Sequence, residues 1–154
     1  MIGPLKFIPY EQVGELIFGM ERGKVEKICG IRISTCMYGY PIEDRYLDDY
    51  GYMHTLCNNK QVLEAIEFFP DISMDNIYLE YNNQLVCLSK NILTLIEQLQ
   101  KITNDLVEDE DKEGYSSQKL GLRIYCPDDI VEDVIIHDQY CYDEEKKYIK
   151  EQEL

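Results

Sequence analysis

Two histidines and six cysteines are the side chains of this chain best placed to do chemistry near neutral pH. His54 stands three residues before Cys57, His137-Asp138 precedes Cys141, and Cys126 opens a Cys-Pro-Asp-Asp run. A cysteine nucleophile needs a base and an orienting group within reach. A structural zinc needs four convergent ligands, usually in closely spaced pairs. No two cysteines form a C-x-x-C pair, and most sit in apolar stretches, so they read as reduced, mostly buried thiols. Small-enzyme chemistry, hydrolase or thiol-dependent, by His54 and His137 with a cysteine or carboxylates is permitted by this spacing but not required by it. The doublets Asp48-Asp49, Asp128-Asp129 and Glu144-Glu145 do not make acid–base pairs by themselves, because neighbours on a strand point to opposite faces. A pair drawn from different loops could serve glycosidase-like chemistry. There is no EF-hand order, no P-loop, no GxGxxG and no GxSxG, so no cofactor and no metal are expected.

A different chemistry, that of contact, is written in residues 38–52, YGYPIEDRYLDDYGY, with five tyrosines, four carboxylates and one arginine. Tyrosine gives broad contact area at small entropic cost, and carboxylates beside it can pair with a partner's Lys or Arg. Tyr40, Tyr46 and Tyr50 are expected as anchors, and Glu43, Asp44, Asp48 and Asp49 as the charged contacts. Residues 128–145 hold eight acids and no Lys or Arg, and Tyr140 and Tyr142 lie among them. Asp138, Tyr140 and Tyr142 join the expected surface if the two segments are adjacent.

Formal net charge is −15 over 154 residues. Residues 1–32 sum to +1 and the remaining 122 to −16. Such a surface opposes nucleic acid and anionic lipid, whose binding needs Lys and Arg to release counterions. It attracts cationic partners and speeds their encounter. No apolar run is long enough to span a bilayer, and the N-terminus does not read as a signal peptide. A cytoplasmic protein is expected.

The elements that must position these residues follow from periodicity. Residues 5–18 read as one or two edge strands around Pro9. Val25, Ile28 and Cys29 share a face of a short helix that Gly30 stops. Residues 31–38 alternate, and 51–57 read as their antiparallel return, which leaves 39–50 as a long tip. Asn58-Asn59 and Asn82-Asn83 predict hairpin turns within consecutive strands near 51–57, 62–69, 77–81 and 84–88. After Ser89 as N-cap, Ile92, Leu95, Ile96, Leu99, Ile102 and Leu106 stripe a helix over about 91–107. Residues 105–118 read as a charged loop, 120–126 and 131–137 as strands, and the acidic tail from about 143 as a frayed helix. A single α+β domain over 1–154 is predicted, with a curved antiparallel sheet of about six strands and one long amphipathic helix packed on a face.

Residues 14–30, GELIFGMERGKVEKICG, resemble a local pattern of BamE/SmpA-type lipoproteins and BLIP-like domains, with Gly19, Met20, Val25 and Gly30 matching. Ile31 stands where those have proline. What the resemblance implies is a helix packed on an antiparallel sheet. In overall character the chain is similar to the immunity proteins of bacterial toxin systems, which are small, acidic and α+β. That likeness implies neutralisation of a cognate, basic toxin by occlusion. A structural homodimer of this chain is the remaining alternative.

Overall fold

The computed structural model describes residues 3–38, 45–73 and 75–153, and these form thirteen strands and three helices. In chain order they are β1 (Leu5–Ile8), β2 (Gln12–Val13), β3 (Leu16–Ile17), α1 (Arg22–Cys29), β4 (Ser34–Tyr38), β5 (Arg45–Asp49), β6 (Met53–Cys57), β7 (Leu63–Phe68), β8 (Tyr78–Tyr81), β9 (Gln84–Cys87), α2 (Ile92–Gln100), β10 (Val107–Glu108), β11 (Gly114–Ser117), β12 (Leu122–Tyr125), β13 (Asp133–His137) and α3 (Asp143–Gln152). A five-stranded sheet runs β3-β2-β1-β8-β9, and an eight-stranded sheet runs β10-β11-β12-β13-β7-β6-β5-β4. Only the β1–β8 pair is parallel among the described strands.

Both sheets and α2 feed one core. Phe7, Leu79 and Val86 come from the small sheet, Met53, Ile66, Phe68 and Ile136 from the large one, and Leu95 and Leu99 from α2. Each such side chain contributes roughly 1.5–3 kcal/mol before entropy is charged. The other face of the large sheet, its outer face, carries Asp49, His54 and Glu67. It carries a smaller cluster of Leu56, Ala65 and Cys141, with Ile135 and Tyr142 packed against it. The segment leading into α3 therefore covers part of this face.

The expected single sheet of about six strands under one long helix is replaced by two sheets and three helices, and the causes are local. Residues 45–49, expected within a long tip, form a strand that pairs with both β4 and β6. The anticipated β4–β6 pairing therefore does not form. The chain leaves the large sheet after β7, so β8 and β9 extend the small one instead of continuing the meander. Asn82 and Asn83 both take positive φ, 47° and 66°, in the two-residue turn between β8 and β9.

Helix α2 starts at Asn91, whose side chain caps Thr94 N, while Ser89 Oγ accepts from Asn91 N. It ends at Gln100, short of the apolar stripe. Beyond it, Asp105 accepts from Thr103 Oγ1, Ser117 Oγ and Lys119 N, which draws the chain towards β11. The span 105–118, read from its charge as a loop, contains the β10–β11 hairpin. Gly114 makes that hairpin possible, because a Cβ there would lie 2.0 Å from the Ile124 carbonyl oxygen. The acidic tail from 143 forms α3.

Candidate functional site

Register places one row of side chains across the outer face. Asp49 pairs with His54, His54 with Glu67, Glu67 with Ile135, Ile135 with Arg123, and Arg123 with Ser116. His54 Nδ1 lies 3.2 Å from Glu67 Oε1, and Nε2 lies 3.5 Å from Asp49 Oδ1. Its ring meets Phe69 edge-on, with centroids 4.6 Å apart. Burial raises the Glu67 carboxyl. Burial first, and the Glu67 charge second, push the Asp133 carboxyl up to about 7. Two half-buried carboxyls in contact cannot both ionise cheaply, so burial and mutual repulsion favour one shared proton over two charges.

Next to Asp133 the sheet opens into a groove of about 210 Å³ walled by Asp109, Asp111, Glu113, Tyr125 and Asp133, with Arg123 and Tyr142 also in its lining. Tyr125 is 40 % exposed and pairs across with Asp133 on one side and Gly114 on the other. Glu113 above all, with Glu132, Asp133 and Asp128, raises its phenol above the ordinary range. Tyr115 is raised by burial and then by Glu108, which its hydroxyl reaches at 3.4 Å. Aromatic rings and negative charge are thus crowded at the β10–β13 end of the large sheet.

The residues singled out from sequence are divided by the pleat of β5. Asp48 is fully buried on the inner side, where Arg22 and Thr35 bind it at 2.7–2.8 Å and Arg32 lies at 3.3 Å. Desolvation opposes its charge, but the bonds from Arg22 and Thr35 outweigh it and lower its pKa. Tyr46 is half-buried beneath the Arg22 guanidinium, 4.4 Å from its ring centroid. Tyr50 is 5 % exposed, and burial pushes its phenol up to about 12. Asp49 faces outward, where it accepts from Gly51 N. Tyr40, Glu43 and Asp44 lie outside the described residues.

In the second acidic segment Asp138 accepts from Tyr140 N, and its own N–H donates to Glu64 O. Tyr140 is 60 % exposed. Tyr142 packs on the sheet with its ring 5.0 Å from Arg123 and 5.0 Å from the His137 centroid. Glu64 in turn lies 3.8 Å from Arg45 Nε, so the base of β5 and the 138–142 segment meet through Glu64 on the outer face.

The His54–Cys57 pair does not form a couple. Cys57 belongs to the core between the sheets, whereas His54 is on the outer face. Burial pushes the Cys57 thiol up to about 12, which suppresses the thiolate a nucleophile needs. Among the described residues no group of three or more His, Cys, Asp or Glu is arranged to hold a metal ion, and no helix is long and apolar enough to cross a membrane. Sequence reasoning missed Tyr125, Glu113 and Asp133. The signal was present in EDEDKEGYSS, where an acidic run ends on Gly-Tyr-Ser-Ser, a strand start placed against charge. Comparison of the chain with protein-family models, curated proteins and solved structures finds no match.

Proposed function

We propose that this chain is an acidic protein-binding module that neutralises a cognate basic protein by occlusion, in the manner of a bacterial immunity protein, and that it acts in the cytoplasm. The observation that carries this is Tyr125, an exposed ring amid Glu113, Asp128, Glu132 and Asp133 at the mouth of a carboxylate-lined groove. A tyrosine there offers a rigid contact, and the groove offers a cation site for an inserted Lys or Arg. The surrounding field steers a basic partner in and repels nucleic acid. Asp49, Asp138 and Tyr140 extend the negative, aromatic surface across the outer face. Asp48 stabilises the fold instead, because its charge is already spent on Arg22.

The test is comparative capture in the source cell. Tagged wild type and a variant carrying Asp109→Asn, Asp111→Asn, Glu113→Gln, Glu132→Gln and Tyr125→Ala are cross-linked and their partners compared. A basic protein held by the wild type and released by the folded variant is expected, and co-expression of the wild type protects cells from that protein. Equal retention by both forms overturns the assignment.

The shared proton of Glu67 and Asp133 beside His54 favours a second reading, acid–base hydrolysis on the same face. His54→Gln separates the two. It abolishes turnover by a hydrolase and leaves capture of a basic protein within about threefold, a change of under about 0.7 kcal/mol.

A further inference from the structure

On the other side of Arg123 and Tyr142 the outer face meets α3 and the β1–β2 turn in a second, larger cleft of about 840 Å³. Its character is opposite to that of the acidic groove. Arg123, Lys146 and His137 all line it, in a chain of net charge −15. Among the described residues neither the Arg123 guanidinium nor the Lys146 ammonium has an ion pair or hydrogen bond. Arg123 is instead braced by its stack on Tyr142, which leaves its N–H edge open to an acceptor. Both cations act on the His137 ring, which burial first and then their charges depress, and His137 Nδ1 sits 2.7 Å from the Asp138 carbonyl.

Among the described residues two acids also line the cleft. Asp138 directs a carboxylate oxygen to Tyr140 N, and Glu11 is exposed in the β1–β2 turn. The Ser116 hydroxyl already donates to Asp109, so it can offer a ligand only its lone pairs. The charged donors left for an anion are therefore Arg123 and Lys146, and the side-chain amides of Gln118 and Gln139 also line the cleft. Ser117, Gln118 and Gln139 add polar lining, and Pro9, the Tyr10 ring and Ile149 add apolar surface, with Tyr10 held by a hydrogen bond from its hydroxyl to Gln118 O and an edge contact with His137. A planar fork and a point charge at one end of a partly apolar cleft match an oxyanion carried on a ring.

We propose that this cleft binds a small organic phosphate, with the phosphoryl group between Arg123 and Lys146 and its apolar body against Pro9, Tyr10 and Ile149.

Phenyl phosphate is the probe, with inorganic phosphate and phenol as controls. The readout is NMR of the Arg123 Nε–Hε and His137 ring resonances in the full chain. Phenyl phosphate is expected to shift both saturably, at least tenfold more tightly than inorganic phosphate, and phenol is expected to shift neither. Lys146→Gln, an exposed substitution that leaves the acidic groove intact, weakens phenyl phosphate at least fivefold, and Arg123→Gln does the same. Absence of a saturable shift up to ten millimolar, phenol binding as tightly as phenyl phosphate, or unchanged affinity in both folded variants overturns the proposal.

Discussion

Arg22 grips Asp48 with two parallel hydrogen bonds, Nε to Oδ2 at 2.7 Å and a terminal nitrogen to Oδ1 at 2.8 Å. One residue opens α1 and the other sits near the end of β5, so the pair clamps the helix to the large sheet. Thr35 Oγ1 donates to the same carboxylate at 2.7 Å from β4. A bidentate, charge-assisted pair at a site with no solvent on the acid is costly to break from one side.

Asp48→Asn is therefore expected to lower stability by about 3 kcal/mol, since it leaves the Arg22 charge without its counterpart. Asp49→Asn, on the opposite face of the same strand, is expected to change it by no more than about 0.5 kcal/mol. Urea unfolding of both variants decides this, and equal midpoints would show that Asp48 is not a structural residue.

The Glu67–Asp133 pair gives stability an unusual dependence on pH. Asp133 has a folded pKa of about 7, raised above its ordinary value of 3.8. The folded state therefore binds the extra proton between those values, and stability falls as pH rises through this window. The contribution is fully present below about pH 4 and is lost above about pH 7. The urea midpoint of Asp133→Asn is expected to change less between pH 5 and pH 8 than that of the wild type. Parallel midpoints in the two proteins would exclude the shared proton.

Thiol reactivity should divide by burial. Cys36 is exposed on β4, whereas Cys57 is buried and its thiol is pushed up to about 12. At pH 8 a maleimide is expected to modify Cys36 within minutes and Cys57 only as fast as the protein opens. Peptide mapping over time checks this. Cys57 labelling as fast as Cys36 would contradict its place in the core.

Gly114→Ala is expected to break the β10–β11 hairpin. The added methyl would meet the Ile124 carbonyl oxygen at 2.0 Å, and backbone cannot yield as a side chain can. The cost is about 1–3 kcal/mol at least, with the groove at Tyr125 opened. Faster amide exchange at Tyr115 and Ile124 is the expected signature, and protection equal to the wild type would refute it.

Much of the local structure was legible. The Asn82-Asn83 turn, the stop of α1 at Gly30 and the α2 stripe of Ile92, Leu95 and Leu99 each depend on neighbours in sequence. The extent of α2 was not, because Ile102 and Leu106 continue the period while Asp105 is held by Ser117 and Lys119 from a distant hairpin. Nor was the strand at 45–49. Its alternation sets the half-buried Tyr46 and the fully buried Asp48 on the inner face, and a buried acid reads from sequence as an exposed one.

The sequence by itself determined the types of contact available: a large negative charge, rings beside carboxylates, turns at asparagine and glycine, and an apolar face on α2. Only the tertiary structure decided which acids remain available. Arg22 and Thr35 bind Asp48 from other elements, while β12, β13 and the turn before β11 collect Tyr125, Asp133 and Glu113 around one groove. Periodicity is set by residues a few positions apart, but charge pairing and exposure are set by strands brought together from far along the chain.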